Sequence, residues 1–125
     1  MAVVPTYNEA TTLPELVKRL RTAVGDVGIL VVDESETDEA TFTVEVLERA
    51  GKHGLGSAYR DGFRRAIDGG AEICVQIDAD LSHDPAVLPA LLTNVEHGAD
   101  LAIGSRYVPG GATLNWPWRR RWLSR

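Results

Sequence analysis

An α/β fold, with a mainly parallel central sheet flanked by helices, is predicted for this 125-residue chain by three observations. Strand-like and helix-like segments alternate along the sequence, the order that builds parallel sheets. The run at residues 29–32 is apolar without alternation, as expected of a strand covered by helices on both faces. Every distinctive polar cluster follows a strand-like segment: Tyr7-Asn8-Glu9, Asp33-Glu34, Asp78-Ala79-Asp80 and Gly104-Ser105-Arg106. In open parallel sheets the ligand crevice lies beyond the carboxyl ends of the strands. The four clusters are therefore expected to meet in one crevice.

Residues 2–4 form a short apolar run cut by Pro5. Thr12 with Glu15 three residues on reads as a capping box, and Leu13, Leu16, Val17, Leu20 and Val24 mark one face of the helix it opens. Asp33 stops the strand at 29–32. Phe42 to Leu47 is a candidate next strand, and Leu55, Ala58, Tyr59, Gly62, Phe63, Ala66 and Ile67 then follow the helical period up to Gly69-Gly70. A buried strand is expected at 73–77. Asp84 as N-cap and Pro85 at the first position open a third helix, with Leu88, Leu91, Leu92 and Val95 inward and Gly98 as its stop. The last strand is expected at 101–103.

With 44% hydrophobic and 25% charged residues, the composition is that of one globular domain over 1–125. No apolar run approaches the roughly 20 residues that span a bilayer, and no signal-peptide pattern is visible. The lone Cys74, set in an apolar run, reads as a buried strand residue without a disulfide partner, which points to a reducing, cytoplasmic setting. Net charge is -5, unevenly spread: residues 101–125 carry Arg106, Arg119, Arg120, Arg121 and Arg125 and no acid. The acidic remainder argues against nucleic-acid binding. The basic segment, interleaved with Trp116, Trp118 and Trp122, suits an anionic phosphate at a membrane surface, or else is a solvated chain end.

Asp78 and Asp80 can present two carboxylates to one hard divalent cation, Mg²⁺ or Mn²⁺, whose remaining ligands a diphosphate would supply. Two acids in a turn also serve as caps. Asp33 and Glu34 can accept hydrogen bonds from a nucleotide base or ribose, or cap a helix. Gly51-Lys52-His53-Gly54-Leu55-Gly56-Ser57 opens a helix with three glycines, so that backbone donors and Lys52 can approach a phosphate; tight helix packing explains the glycines equally well. It is neither a P-loop nor a dinucleotide fingerprint. His83 reads as a turn residue beside a cap more readily than as a general base, and Arg106 suits anion binding.

Taken together and in order, Val4-Pro5-Thr6-Tyr7-Asn8-Glu9, Val31-Val32-Asp33, Gly51-Lys52 with Gly54-Leu55-Gly56, Asp78-Ala79-Asp80-Leu81-Ser82-His83-Asp84-Pro85, Gly104-Ser105-Arg106-Tyr107-Val108 with Gly110-Gly111, and Asn115-Trp116-Pro117-Trp118-Arg119-Arg120 resemble the polyprenol (dolichol) phosphate mannosyltransferases, family 2 glycosyltransferases. The resemblance implies a Rossmann-like GT-A nucleotide-sugar-binding fold and inverting transfer of mannose from GDP-mannose to a polyprenyl or dolichyl phosphate. It implies that Pro5, Tyr7, Glu9 and Asp33 contact the guanosine portion, and that Asp78 and Asp80 hold Mg²⁺ or Mn²⁺. Ser82 stands where some members use Gln as a further metal ligand, and the resemblance implies that its hydroxyl takes that place, though less firmly. Arg106 would bind phosphate, and Arg119, Arg120 and Arg125 would lie near the acceptor phosphate. The setting implied is the cytoplasmic face of a membrane, peripherally or through a separate anchor subunit. No catalytic base is required, because a lipid monophosphate, with a second pKa of about 6, is already anionic at neutral pH.

The chain departs from the family pattern in three ways. It begins in the middle of the expected first strand, is shortened near 34–50, and ends before the later elements, so a truncated catalytic domain is expected. A parallel crossover needs a dozen or more residues, and only 34–41 would precede a strand at 42–47. The alternatives are a UDP-glucose-dependent polyprenyl-phosphate glucosyltransferase, a phosphatase of the haloacid dehalogenase kind, and a shortened domain that only binds nucleotide or a partner. Too little sequence follows Asp78 for the phosphatase's downstream lysine and acids.

Overall fold

The computed structural model describes residues 1–9, 11–34, 44–51, 53–108 and Trp118. The chain divides into two compact units, Met1–Pro89 and Ala90–Arg125. The first contains the expected α/β architecture. Four parallel strands, β1 (Ala2–Thr6), β2 (Ile29–Asp33), β3 (Glu45–Glu48) and β4 (Val75–Gln76), stand in the order β3-β2-β1-β4. All of β1 and the first four residues of β2 are buried, so the centre of the core lies on these two strands.

Helix α1 (Leu13–Val24) connects β1 to β2, and α2 (Leu55–Asp68) connects β3 to β4. The two connections run in opposite directions across the sheet, so right-handed crossovers put the helices on opposite faces. Strand pleating sorts the side chains accordingly. Val3, Leu30 and Val32 cluster with Ala58, Tyr59 and Ala66 of α2, while α1 buries the expected Leu13, Leu16, Val17 and Leu20. A 3₁₀ turn at Pro85–Val87 leads into α3 (Leu88–Glu96), with Asp84 accepting a hydrogen bond from the Ala86 N–H at 3.0 Å as the predicted cap. Gly98, at φ +99°, ends α3.

Several expectations are corrected. The capping box does not form: the Thr12 hydroxyl donates to the Glu9 carbonyl at 3.1 Å and Glu15 pairs with Arg19 instead, so the helix end is held by its preceding turn. Strand β1 runs through Pro5 to Thr6, because β4 pairs only with Ala2 and Val3 and a proline beyond that point removes no ladder bond on that side. β4 is two residues long, with Gln76 exposed and Cys74 only partly covered, as befits an edge strand. Residues 101–103 form no strand; Leu101 and Ile103 are 73% and 75% exposed. Leu55 and Ile67, placed on the packed face of α2 by periodicity, are also exposed. Strand β3 begins at Glu45, and Phe42 lies outside the described residues.

One glycine decides how closely α2 approaches the sheet. A Cβ built on Gly62 would lie 2.4 Å from Val3 Cγ1 and 2.8 Å from Val32 Cγ2, inside any tolerable contact. Valine side chains are stiff at χ1 and cannot swing aside. Gly62→Ala should therefore destabilise the chain by about 1–3 kcal/mol through overpacking, despite alanine's ~1 kcal/mol better helix propensity. Urea denaturation measures the difference, and a stability equal to or above wild type would refute the packing account.

Candidate active site

The carboxyl ends of β1 and β4 bring together the acids that the sequence places far apart. After β1, Asn8 adopts φ +57° and turns the chain so that the Glu9 carbonyl receives the N–H groups of Thr12 and Leu13, both at 3.1 Å. Glu9 is thereby anchored at the start of α1. After β4, the Ile77 N–H reaches the Val3 carbonyl, and the chain turns through Asp78-Ala79-Asp80 with Ala79 buried. Leu81 at φ +59° is in the left-handed region, unusual for a bulky residue, and the Ser82 N–H closes the turn on Asp80 Oδ1 at 2.9 Å.

Charges in this cluster feel one another. Burial raises the pKa of Glu9, and the neighbouring charge of Asp80 and then that of Asp78 add to the rise, against a hydrogen bond from the Tyr7 backbone. For Asp80, burial acts upward, yet hydrogen bonds from the Ser82 backbone and side chain and the field of His83 together outweigh it and lower the pKa. Tyr59, from α2, donates its hydroxyl to Asp78 Oδ1 at 2.6 Å, and His83 Nε2 stands 3.6 Å from Asp78 Oδ2. Burial, followed by that hydrogen bond and the three acids, pushes the Tyr59 pKa far upward. It remains a donor at any physiological pH.

A metal would meet an open donor set here. Among the described residues no three His, Cys, Asp or Glu groups converge as a closed site requires. Two carboxylates one residue apart, with Glu9 within electrostatic reach, suit a hard cation that completes its shell from a phosphate ligand. Ser82 lies against Asp80 as its hydrogen-bond donor. Beside the cluster, the Thr6 hydroxyl is buried with no hydrogen-bond partner among the described residues, at the position of β1 paired with Asp33. A buried hydroxyl left unmatched costs about 1–3 kcal/mol, so this end of the sheet has unused bonding capacity.

The end of β2 is organised differently. Glu34 is buried and paired with Arg49, and accepts the His53 N–H at 3.3 Å. Arg49 also donates to Ser57 Oγ at 3.0 Å and pairs with Asp61 at 3.0 Å, while its N–H bonds the Asp33 carbonyl. This network ties the glycine segment and α2 to β2, so Glu34 is occupied structurally. Backbone conformation explains two of these glycines: Gly51 and Gly54 lie at φ +82° and +89°, whereas Gly56 has neither a positive φ nor, like them, a described atom within 4 Å of a built Cβ. Packing demands a glycine at Gly62 instead.

Of the sequence-derived site residues, Pro5, Tyr7, Glu9, Asp33, Asp78, Asp80 and Ser82 all lie at or just beyond the carboxyl ends of β1, β2 and β4. Arg106 is exposed in the second unit, where the Tyr107 N–H bonds Ser105 Oγ. Lys52, Arg119, Arg120 and Arg125 lie outside the described residues. Sequence reasoning missed Tyr59 and Arg49. Tyr59 read as one more apolar position of a helix; the available signal was that a buried tyrosine must find a partner for its hydroxyl. A separate open groove of about 490 Å³ runs along α2 past Tyr59, Arg60, Phe63, Arg64 and Ile67. It lacks the paired carboxylates and is not taken as the site.

The chain as a whole is similar to known proteins. The model of glycosyl transferase family 2 matches residues 1–125. A polyprenol monophosphomannose synthase of Mycolicibacterium smegmatis is 46% identical over 136 residues, covering 100% of this chain and 51% of that protein. An undecaprenyl-phosphate mannosyltransferase of Micrococcus luteus is 44% identical over 134 residues (99% and 55%), and a dolichol-phosphate mannosyltransferase of Pyrococcus furiosus 38% identical over 134 residues (98% and 37%). The chain thus spans about half the length of the first two relatives and less of the third.

Two outcomes follow from the site's electrostatics. Because the folded chain holds the Glu9 proton more tightly than the unfolded chain, the stability Glu9 contributes is present below the ordinary glutamate pKa and is lost as pH rises through its raised folded value; lowered Asp80 contributes in the opposite sense. In Asp80→Asn, carboxyl ¹³C titration should show the Glu9 pKa falling towards, but not reaching, its ordinary value, since burial remains; an unmoved pKa would deny the proximity. Arg49→Met should cost about 3 kcal/mol, the low end for a buried pair whose side chains keep 11% and 6% of their surface, and adding Glu34→Gln should recover part of it in urea denaturation.

Proposed function

This chain belongs to glycosyl transferase family 2, and on that premise we propose that it forms the donor-binding part of an enzyme that transfers mannose from GDP-mannose to a polyprenyl or dolichyl phosphate, with inversion at the anomeric carbon. The observation that carries this reading is the meeting of Glu9, Asp78 and Asp80 at the carboxyl ends of neighbouring parallel strands. Relatives named for mannose transfer to polyprenyl phosphates support the choice of sugar and acceptor.

In this reading Pro5, Tyr7, Glu9 and Asp33 line the guanosine end, and the Thr6 hydroxyl has capacity to bond there too. Asp78 and Asp80 would hold the cation, with Ser82 keeping Asp80 in place from its backbone and hydroxyl. Bound there, Mg²⁺ or Mn²⁺ would share its shell with the donor diphosphate and offset the charge developing on departing GDP. Lys52 and Arg106 would bind phosphate oxygens; Arg119, Arg120 and Arg125 would serve the acceptor phosphate. The acceptor arrives already ionised, so orientation and charge stabilisation, with Asp80 and Arg106 closest to the reacting groups, account for the catalysis. No helix among the described residues is long and apolar enough to cross a membrane. Peripheral attachment at a cytoplasmic membrane face, through the basic, tryptophan-bearing segment or a separate anchor subunit, is the arrangement proposed.

Calorimetric titration of the chain with GDP-mannose, GDP and UDP-glucose, each with Mn²⁺ and then excess chelator, tests the reading. GDP-mannose should bind only with the metal and roughly tenfold or more tighter than UDP-glucose. Asp80→Ala should remove the metal-dependent binding and leave the far-UV circular dichroism unchanged. Binding indifferent to chelator defeats the metal assignment, and preference for UDP-glucose defeats the donor.

A further inference from the structure

The Asp78 carboxylate has a restraint that comes from outside its own turn. The hydroxyl of Tyr59 donates to Asp78 Oδ1 at 2.6 Å, the short separation of a charge-assisted O–H···O⁻ bond. The ring that carries it cannot move freely: Tyr59 is 5% exposed, stacked on Phe63 with centroids 5.7 Å apart and an interplanar angle of 25°, and packed in the cluster of Val3, Leu30 and Val32. One turn further along, the contact of Gly62 with Val3 and Val32 sets the height of α2 over the sheet, and hence where the hydroxyl ends up. Asp78 Oδ2, by contrast, accepts no recorded hydrogen bond from the described residues; His83 Nε2 stands 3.6 Å away, too far for one.

We infer that Tyr59 is a positioning residue for the acid turn: by occupying Oδ1 it fixes the rotation of the Asp78 carboxylate and leaves Oδ2 as the oxygen offered to a cation. This rests on the reading of Asp78 as a cation ligand. An isolated aspartate on a surface turn rotates between rotamers and must be ordered when metal binds; a buried phenol from a packed helix removes that freedom beforehand. Partners of this kind set ligand orientation in metal sites, and their loss weakens metal affinity by about 10–100-fold. Tyr59 itself touches neither metal nor substrate in this scheme.

Tyr59→Phe retains the ring and its packing and deletes only the donor. Binding of Mn²⁺ in the presence of saturating GDP, read from the free-ion electron paramagnetic resonance signal, is compared for wild type, Tyr59→Phe, Asp80→Ala and Leu20→Ala, with melting temperatures for all four. Leu20, fully buried in α1, reports the effect of loosened packing outside the acid turn. Tyr59→Phe should bind Mn²⁺ about 10–100-fold more weakly than wild type, while Leu20→Ala melts lower yet keeps wild-type affinity. Wild-type affinity in Tyr59→Phe, with Asp80→Ala defective, would overturn the positioning role and leave the metal reading standing. An equal loss in Leu20→Ala would overturn it too, by making the effect one of general loosening. Absence of Mn²⁺ binding in the wild type would overturn both.

Discussion

The close seating of helix α2 on strands β1 and β2, possible only because residue 62 lacks a side chain, is the constraint on which the rest of this unit depends. Glycine within a helix costs about 1 kcal/mol relative to alanine. In return the helix backbone comes within reach of Val3 and Val32, and the residues around Gly62 fall into working positions. Ser57, near the helix start, meets Arg49 beyond β3; Asp61 meets the same guanidinium; Tyr59 meets Asp78 beyond β4. One helix thus connects the far ends of a sheet in the order β3-β2-β1-β4.

The two ends of that helix connection differ in electrostatic completeness. Around Arg49 the charges are matched: Glu34, Asp61 and Ser57 account for the guanidinium, Arg60 also faces Asp61 at 3.6 Å, and the Glu34 carboxylate takes the His53 N–H. Around Asp78 they are not. Glu9, Asp78 and Asp80 share a region with the His83 imidazole and the Tyr59 phenol, Glu9 is pushed towards its protonated form, and the buried Thr6 hydroxyl has no hydrogen-bond partner among the described residues. A folded chain tolerates such an imbalance where a ligand relieves it. The matched network holds the scaffold, and the unmatched one is where the proposed function places the ligand.

The strong regularities of the sequence carried through to the fold. The apolar stripe of Leu13, Leu16, Val17 and Leu20 is buried as a stripe, and the unbroken run at 29–32 is a central strand. Polar clusters after strands do lie at one end of a parallel sheet, for β1, β2 and β4. Weaker signals were overridden by local geometry. The Thr12 and Glu15 pair had the spacing of a capping box, but the turn at Asn8 had already supplied the Glu9 carbonyl as partner. Leu101 and Ile103 have the composition of a strand, yet a strand exists only where a neighbour supplies its hydrogen bonds.

What the sequence by itself determined was the class of fold, the buried face of α1 and the identity of the acids at the strand ends, because hydrophobic period and chain order are local properties written residue by residue. Which glycine is packed and which are merely turned, which carboxylate is neutralised and which is left exposed to its neighbours, only the tertiary structure decided. Glu34 and Asp78 both belong to acidic clusters that follow an apolar run. One met an arginine from beyond another strand and the other a tyrosine from a helix. That difference comes from contacts between segments 15 and 19 residues apart, the first set by the pairing of β2 with β3 and the second by how closely α2 lies on the sheet.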